Sequence, residues 1–469
     1  MNVRCIHLDM KSMFPKADYL LKELEQLAEM GYTHILLEFE DRFPFEAYPD
    51  FVRKSAYTKA EFRSVAEKCR QLGIGVIPLL QCAGHLDYFL KEPAYRKWSE
   101  NGNPYQWCLS DPETLEIWKN MAEEILEIFP DCEYFHIGAD EVKLKEPCPR
   151  CAGKNAFQLY LSRVRECVDF LLAKNKKVLV WDDMFRRHDL AISGDLLQKV
   201  VPCVWQYYEL DGSIIRRYAE AGIRYWGASR LQSNTDFYRG MGRQQMMQKN
   251  ADDWADIQSQ YPAEGHIGTL WGRIQSLYPI NTTLPQSMYM AGYLAETLLH
   301  GKITDRAAFN RNFAEKFFGL PELDMNLLVL NFGIEPELVK AELERRLGKA
   351  PRNGEVLEIW HAFNEIDNLY AYVDQCFNNN QASLGKYRAG LVNDAALTNW
   401  MDGARITRER TEKLSAWLDE ALGKYFPLDQ LDEFKTERFE SMLEINQRWG
   451  EFLAETARKP HLSFVFGAK

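Results

Sequence analysis

The chain of 469 residues is 46% hydrophobic and carries 68 acidic against 57 basic side chains, for a net charge of −11. That length predicts one large domain and a smaller one, with apolar content enough for a substantial core. The acidic balance excludes nucleic acid or an anionic membrane as the main partner and suits a neutral glycan better.

The amino terminus, MNVRCIHLDMK, lacks the basic-then-apolar pattern of a signal peptide, and no later stretch approaches the roughly 20 apolar residues of a membrane span. A soluble, cytoplasmic protein is therefore expected. Ten cysteines dispersed through so large a chain suit reduced core thiols better than a disulfide framework. Cys148-Pro-Arg-Cys151 is the one patterned pair; free thiols, half a zinc knuckle and a redox pair all stay open for it.

Short β-type runs alternate with amphipathic stretches from the first residues, the rhythm of a parallel sheet covered by helices. Strands are expected near 3–8, 33–39, 74–80, 133–137, 177–181, 202–205, 223–226 and 266–271. Helices are expected over 16–30, 58–72, 112–129, 156–174, 212–221 and 284–300, with Gly31 and Gly73 as stops and Asp111 as an N-cap. Eight strands with this alternation predict a (β/α)8 TIM barrel over residues 1–302.

Beyond His300 the rhythm changes. Apart from the apolar run 327–332, residues 303–469 contain no convincing strand and read as an all-α C-terminal domain, with long helices near 356–377, 397–422 and 428–457. Its aromatic residues, among them Trp360, Tyr370, Tyr372, Trp400, Trp417 and Trp449, read as core or interface rather than ligand sites. A homodimer through this domain stays open.

In a TIM barrel the active residues sit at the carboxyl ends of the strands. The polar and aromatic residues that close the predicted strands are Asp9, Glu38 and Glu40, His85, Asp140 with Glu141, Trp181 with Asp182 and Asp183, Trp205 with Tyr207, and Trp271 with Arg273. One stretch dominates: YFHIGADEV, residues 134–142, where an apolar run ends in a small-residue turn and two adjacent carboxylates.

His136, Gly138, Ala139, Asp140 and Glu141 together resemble the HxG(A/G)DE signature of glycoside hydrolase family 20, the β-N-acetylhexosaminidases. HLDMK at 7–11, LLEFEDRFPFE at 36–46, PLLQCAGH at 78–85, LVWDDM at 179–184 and Trp271 extend the resemblance toward the hexosaminidase D branch, over roughly residues 1–302. It implies a cofactor-free exo-enzyme, with no metal in the reaction, that removes N-acetylglucosamine, and also N-acetylgalactosamine in some members, from an N-acetylhexosaminide glycan. In this family's substrate-assisted route the substrate's own 2-acetamido oxygen attacks the anomeric carbon, with net retention. Glu141 would be the general acid and base, Asp140 the partner of the acetamido N–H, and Trp181, Trp205 and Trp271 the pocket walls. Tyr207 would bind the acetamido oxygen, with Tyr208 and Tyr225 as rivals, while His85 and His136 would orient the acids and sugar hydroxyls.

Two places depart from the family pattern. An arginine expected three residues beyond Asp9 is replaced by Ser12, and an acid expected two residues beyond Trp271 is replaced by Arg273. An exchange of roles is expected, with Arg273 supplying the missing cation and a second-strand acid accepting the outer sugar hydroxyls. Two other readings compete: a metal-dependent barrel isomerase or aldolase using His85, His136, Asp140, Glu141 and Glu38 as ligands, and a catalytically silent glycan-binding barrel.

Overall fold

The computed structural model describes the chain except residues 144–146, 189, 194, 233–243, 274, 277, 281, 389–394 and 458–469. It also leaves aside the side chains of some helical residues, Trp400 and Trp449 among them.

Eight parallel strands close a barrel. In chain order they are β1 (Val3–Asp9), β2 (His34–Glu38), β3 (Gly75–Leu79), β6 (Tyr134–His136), β7 (Lys177–Trp181), β8 (Val200–Trp205), β9 (Trp226–Gln232) and β10 (Gly265–Leu270). The hydrogen-bonded order β1-β10-β9-β8-β7-β6-β3-β2 returns to its start, so the sheet has no edge. A two-stranded antiparallel hairpin, β4 (Ser99–Glu100) with β5 (Asn103–Trp107), is inserted between β3 and β6.

Alternation along the strands fills the barrel and also furnishes its upper end. Ile77 and Leu79, Leu179 and Trp181, and Val201 and Cys203 belong to one buried cluster, against which Trp205 and Trp271 pack. The inward-facing row that makes the core therefore continues, residue by second residue, into an aromatic floor.

The connecting helices follow local signals. Thr58 closes a capping box with Glu61 at the start of Lys59–Leu72, and Gly73 ends that helix in the left-handed conformation at φ 69°. Asp111 caps Pro112–Ile128 by accepting from the Glu113 amide.

The seventh strand lies three residues later than expected. Ile223 and Tyr225 are buried, but they belong to the connection after the helix Gly212–Glu220, where the Ile223 amide still bonds to Tyr218 O. The strand itself, WGASRLQ, is buried along its whole length with few large apolar residues. Neither the hairpin nor the helix Gln244–Gln260 is among the expected elements.

The chain divides into two compact units, and the division falls at Phe313 and Ala314, inside the helix Arg306–Phe318. Among the described residues, the part beyond His300 is helical. The apolar run 327–332 is largely the short helix Met325–Asn331, capped by Asp324, and Gly354–Arg388, Ala395–Leu422, Leu428–Lys435 and Ser441–Ala457 follow Pro336–Leu347. Trp360 is fully buried against Phe318, and Tyr370 donates to Arg438 O. No described helix is long and apolar enough to cross a membrane.

Candidate active site

The turn after β6 is where the backbone departs furthest from ordinary conformations. Gly138, Ala139 and Glu141 have φ of 64°, 70° and 50°. For Ala139 and Glu141 that region is sterically costly and needs fixed partners. The partners are present. Ala139 N donates to Gln81 Oε1 at 3.0 Å, Tyr160 OH donates to Ala139 O at 3.1 Å, and Glu141 N donates to Asp183 Oδ2 at 3.1 Å. A Cβ on Gly138 would stand 1.9 Å from Gln81 Oε1, so only glycine leaves room for that side chain.

Gln81 also donates from Nε2 to Asp140 Oδ1 at 3.0 Å. His85 Nε2 lies 3.3 Å from Asp140 Oδ2 and 3.4 Å from Glu141 Oε2, and Tyr105 OH is 2.9 Å from the same nitrogen. Burial works against the charged form of Asp140, but the His85 charge and the hydrogen bonds from His85 and Gln81 outweigh it and hold Asp140 below the usual carboxylate range. For His85, burial is likewise outweighed, and the two carboxylates raise it well above an ordinary histidine. Asp140 is buried, whereas the Glu141 side chain is 49% exposed and can reach toward a leaving group.

His136 plays a different part. Its Nδ1 accepts from Gly138 N at 2.9 Å, its ring lies 4.4 Å from that of Trp181, and burial pushes its pKa down to about 3. It is a neutral, fully buried brace beneath the turn.

A cavity of about 260 Å³ opens above the barrel core, lined by Lys11, Glu38, Gln81, His85, Asp140, Glu141, Trp181, Trp205, Tyr207, Tyr208 and Trp271. Trp271 Nε1 donates to Tyr207 OH at 2.9 Å, which leaves the phenol proton for another acceptor. Tyr225 lies elsewhere, its hydroxyl directed at Tyr261 O. A second cleft of about 810 Å³ shares Glu141 and is lined by Asn101, Asn103, Gln106, Lys143, Arg187 and Gln275 among others.

At the opposite wall, Lys11 Nζ lies 2.9 Å from Asp9 Oδ1, 3.3 Å from Glu38 Oε2 and 3.6 Å from Glu40 Oε1. Burial works against the lysine charge, but these carboxylates outweigh it and keep its pKa well above the ordinary value. Against its burial, the Lys11 charge and then His7, whose Nε2 is 2.9 Å away, hold Glu38 below its usual range, whereas burial pushes Glu40 well above it. Asp9 Oδ2 accepts from Gly272 N at 2.9 Å, joining the ends of the first and last strands.

Of the thirteen site residues expected from the sequence, Glu38, His85, Asp140, Glu141, Trp181, Trp205, Tyr207 and Trp271 line the cavity, while Asp9, Glu40, His136, Asp182 and Arg273 do not. Arg273 is 1% exposed, donates from Nη1 to Ser276 O at 3.1 Å and is not among the residues that line the cavity. Ser12 is buried, and a Cβ on Gly272 would meet its Cβ at 2.1 Å, so the two backbones pack closely there. The cation at this wall is Lys11, inside the HLDMK segment. Asp183, beside the expected Asp182, holds the Glu141 amide. Gln81, Lys11 and Tyr105 are the neighbours that strand-end reasoning passed over; Gln81 and Lys11 follow β3 and β1 directly, whereas Tyr105 belongs to the unexpected hairpin.

Two groups among the described residues bring metal-ligating atoms within 4.8 Å of one another: His85 with Asp140 and Glu141, and Glu100 with Cys108, Cys148 and Cys151. In the first, a single histidine nitrogen lies within 3.4 Å of both carboxylates.

Residues 2–269, more than half of the chain, match the catalytic domain of glycosyl hydrolase family 20. Hexosaminidase D of Bos taurus is 26% identical over 348 residues, covering 69% of this chain and 98% of that protein. Hexosaminidase D of Homo sapiens is 28% identical over 321 residues, covering 64% of this chain and 66% of that protein. In fold, the chain is similar to a β-N-acetylhexosaminidase from Bacteroides fragilis, with a TM-score of 0.52 at 18% identity over 67% of this chain and 69% of that one. The likeness to Flavobacterium johnsoniae chitobiase, with a TM-score of 0.55 at 15% identity, extends over 97% of this chain and 73% of that one.

Asp182 generates a test of its own. It is fully buried, and burial pushes its pKa up from 3.8 to about 7, with Arg186 opposing and Asp183 adding to the shift. The fold therefore binds this proton more tightly than the unfolded chain, and stability is lost as pH rises from about 4 to about 7. Asp182→Asn removes the titration. Relative to wild type it should gain roughly 2 to 4 kcal/mol between pH 5 and pH 8. Thermal midpoints of both proteins at the two pH values check this; a difference that does not change with pH contradicts it.

Proposed function

The chain belongs to glycosyl hydrolase family 20, and on that premise we propose that it is a retaining exo-β-N-acetylhexosaminidase working by substrate assistance, with residues 1–302 as its catalytic part. The observation that carries this reading is the placement of both acids on one side of the cavity. Asp140 and Glu141 share the nitrogen of His85, with ligand atoms within 4.8 Å of one another. That is shorter than the roughly 6.5 to 9.5 Å an inverting pair needs to admit water between acid and base.

With the acids on one side, the attacking atom must come from elsewhere, and the 2-acetamido oxygen can supply it. Asp140, kept ionised by His85 and Gln81, can accept the acetamido N–H and offset the positive charge that develops on the ring. The Tyr207 hydroxyl can donate to the acetamido oxygen, and the tryptophans cage its methyl group and stack on the sugar. Glu141 protonates the leaving oxygen as the C–O bond breaks, then takes a proton from water as that water opens the oxazolinium-type intermediate. The cleft beyond Glu141 receives the leaving group.

A 2-acetamido aryl glycoside and its 2-hydroxy counterpart, assayed side by side, test the mechanism. The plain glucoside should be nearly inert. Glu141→Gln should lower kcat by ~10² to 10⁴ for poor leaving groups and far less for activated aryl ones. Comparable hydrolysis of the two sugars, or equal losses along the leaving-group series, contradicts the assignment.

Specificity is assigned to Glu38 with Lys11 rather than to Arg273, because the first two line the cavity and can meet the outer sugar hydroxyls. Glu38→Gln should cost roughly 1.5 to 3 kcal/mol in kcat/KM, as for a hydrogen bond to a charged group, and shift the ratio between N-acetylglucosaminide and N-acetylgalactosaminide. Arg273→Ala should leave that ratio unchanged. The reverse pattern would return the role to Arg273.

A further inference from the structure

The patterned pair Cys148 and Cys151 converges on a third thiol. Cys108 Sγ lies 3.3 Å from Cys148 Sγ and 3.7 Å from Cys151 Sγ. A carboxylate enters the same cluster: Glu100 Oε2 is 3.3 Å from Cys151 Sγ, while its Oε1 accepts from the Cys148 amide at 2.5 Å. All four side chains are buried, and one ligand atom from each lies within 4.8 Å of every other.

These separations fit a particular chemistry. They are far longer than a disulfide bond of about 2.0 Å. They approach the edge of about 3.8 Å expected of a tetrahedron with metal–sulfur bonds of about 2.3 Å. Cys148 and Cys151 have the spacing of a zinc knuckle, and the turn between them is closed by Cys151 N and Ala152 N, both donating to Cys148 O at 2.9 Å. Three thiols packed only for their apolar character would not need a buried carboxylate among them, because burying that charge without a cation is costly. Thiolates with one oxygen ligand suit zinc. A cation also stands outside the cluster: Lys154 Nζ donates to Ser110 Oγ at 3.1 Å, and that hydroxyl is 3.2 Å from Cys151 Sγ.

We propose that Cys108, Cys148, Cys151 and Glu100 form a structural zinc site. Loading it converts three thiols to thiolates and releases their protons to solvent. The site joins the hairpin β4–β5, which supplies Glu100 and runs into Cys108, to the chain that follows the catalytic acids. The same hairpin already reaches that segment. Tyr105 OH bonds to Glu141 O at 3.3 Å, and Gln106 exchanges two hydrogen bonds of 2.7 Å with the Lys143 backbone. Zinc fastens this contact where Tyr105 also meets His85. None of its four ligands lines the sugar cavity, Glu100 alone reaching the adjoining cleft, and the proposal stands independently of the functional reading.

Metal analysis of the full chain, purified without an affinity tag that binds metal, tests the site. About one zinc per chain is expected. Cobalt exchanged into the protein should show the thiolate charge-transfer and tetrahedral ligand-field bands of a sulfur-rich site. Cys148→Ser should abolish those bands and lose most of the zinc. Glu100→Gln, a milder change, should lower zinc affinity several-fold in a folded protein. Cys376→Ser and Glu141→Gln should keep the metal. A wild-type chain that is metal-free and takes up neither zinc nor cobalt overturns the proposal, as does a Cys108–Cys148 disulfide found by peptide mapping. Zinc that survives Cys148→Ser but is lost from Glu141→Gln resides in the pocket and overturns it equally.

Discussion

One amide side chain holds the turn after β6 together. Gln81 accepts from the backbone of Ala139 through its oxygen and donates to Asp140 through its nitrogen. It fits because Gly138 has no side chain. A backbone in the left-handed region costs energy at Ala139 and Glu141, and bonds fixed at both ends make it the stable arrangement. The consequence is directional. Asp140 turns inward and is buried, while Glu141 stands half exposed at the boundary between two clefts.

Around that turn, the carboxylates on each side of the pocket share one cation. His85 offsets Asp140 and Glu141 on one wall, and Lys11 offsets Asp9, Glu38 and Glu40 on the other. Such groups are costly to bury singly and are tolerated as sets. The same cavity is lined by Trp181, Trp205 and Trp271, delivered by the same alternation that fills the barrel. A sugar with an apolar face, a ring of hydroxyls and one acetamido group has a counterpart at each of these surfaces.

The barrel was legible because most of its strands are short apolar runs bounded by turn or cap residues, and strand ends point to one rim. The elements that escaped are those whose burial is polar. In the helix Gln244–Gln260, Gln248 donates to Tyr289 OH and Asn250 to Gln206 O, so buried polar residues dilute the short stripe of Met247, Ala251 and Trp254 that periodicity would detect. The strand at Trp226–Gln232 escaped in register for a related reason, since it buries Ser229, Arg230 and Gln232. Within the site, sequence order could not decide between Asp182 and Asp183, because the first turn of a helix begins between them and sends adjacent side chains to different places. Nor could it bring Cys108 to Cys148 across 40 residues. The exchange expected at Arg273 and the second-strand acids concerns the wall that Lys11 and Glu38 line, whereas Arg273 is buried and is not among the residues lining the cavity.

The most direct test of the central claim, that the glycosidic bond is hydrolysed by two successive displacements and not by one attack of water, is the stereochemistry of the first product. Proton NMR followed during early turnover of a β-N-acetylglucosaminide resolves the anomer released before mutarotation mixes the two. Two successive displacements at the anomeric carbon predict the β-anomer first, with the α-anomer growing in later. Initial release of the α-anomer would mean a single displacement by water, and would contradict the account.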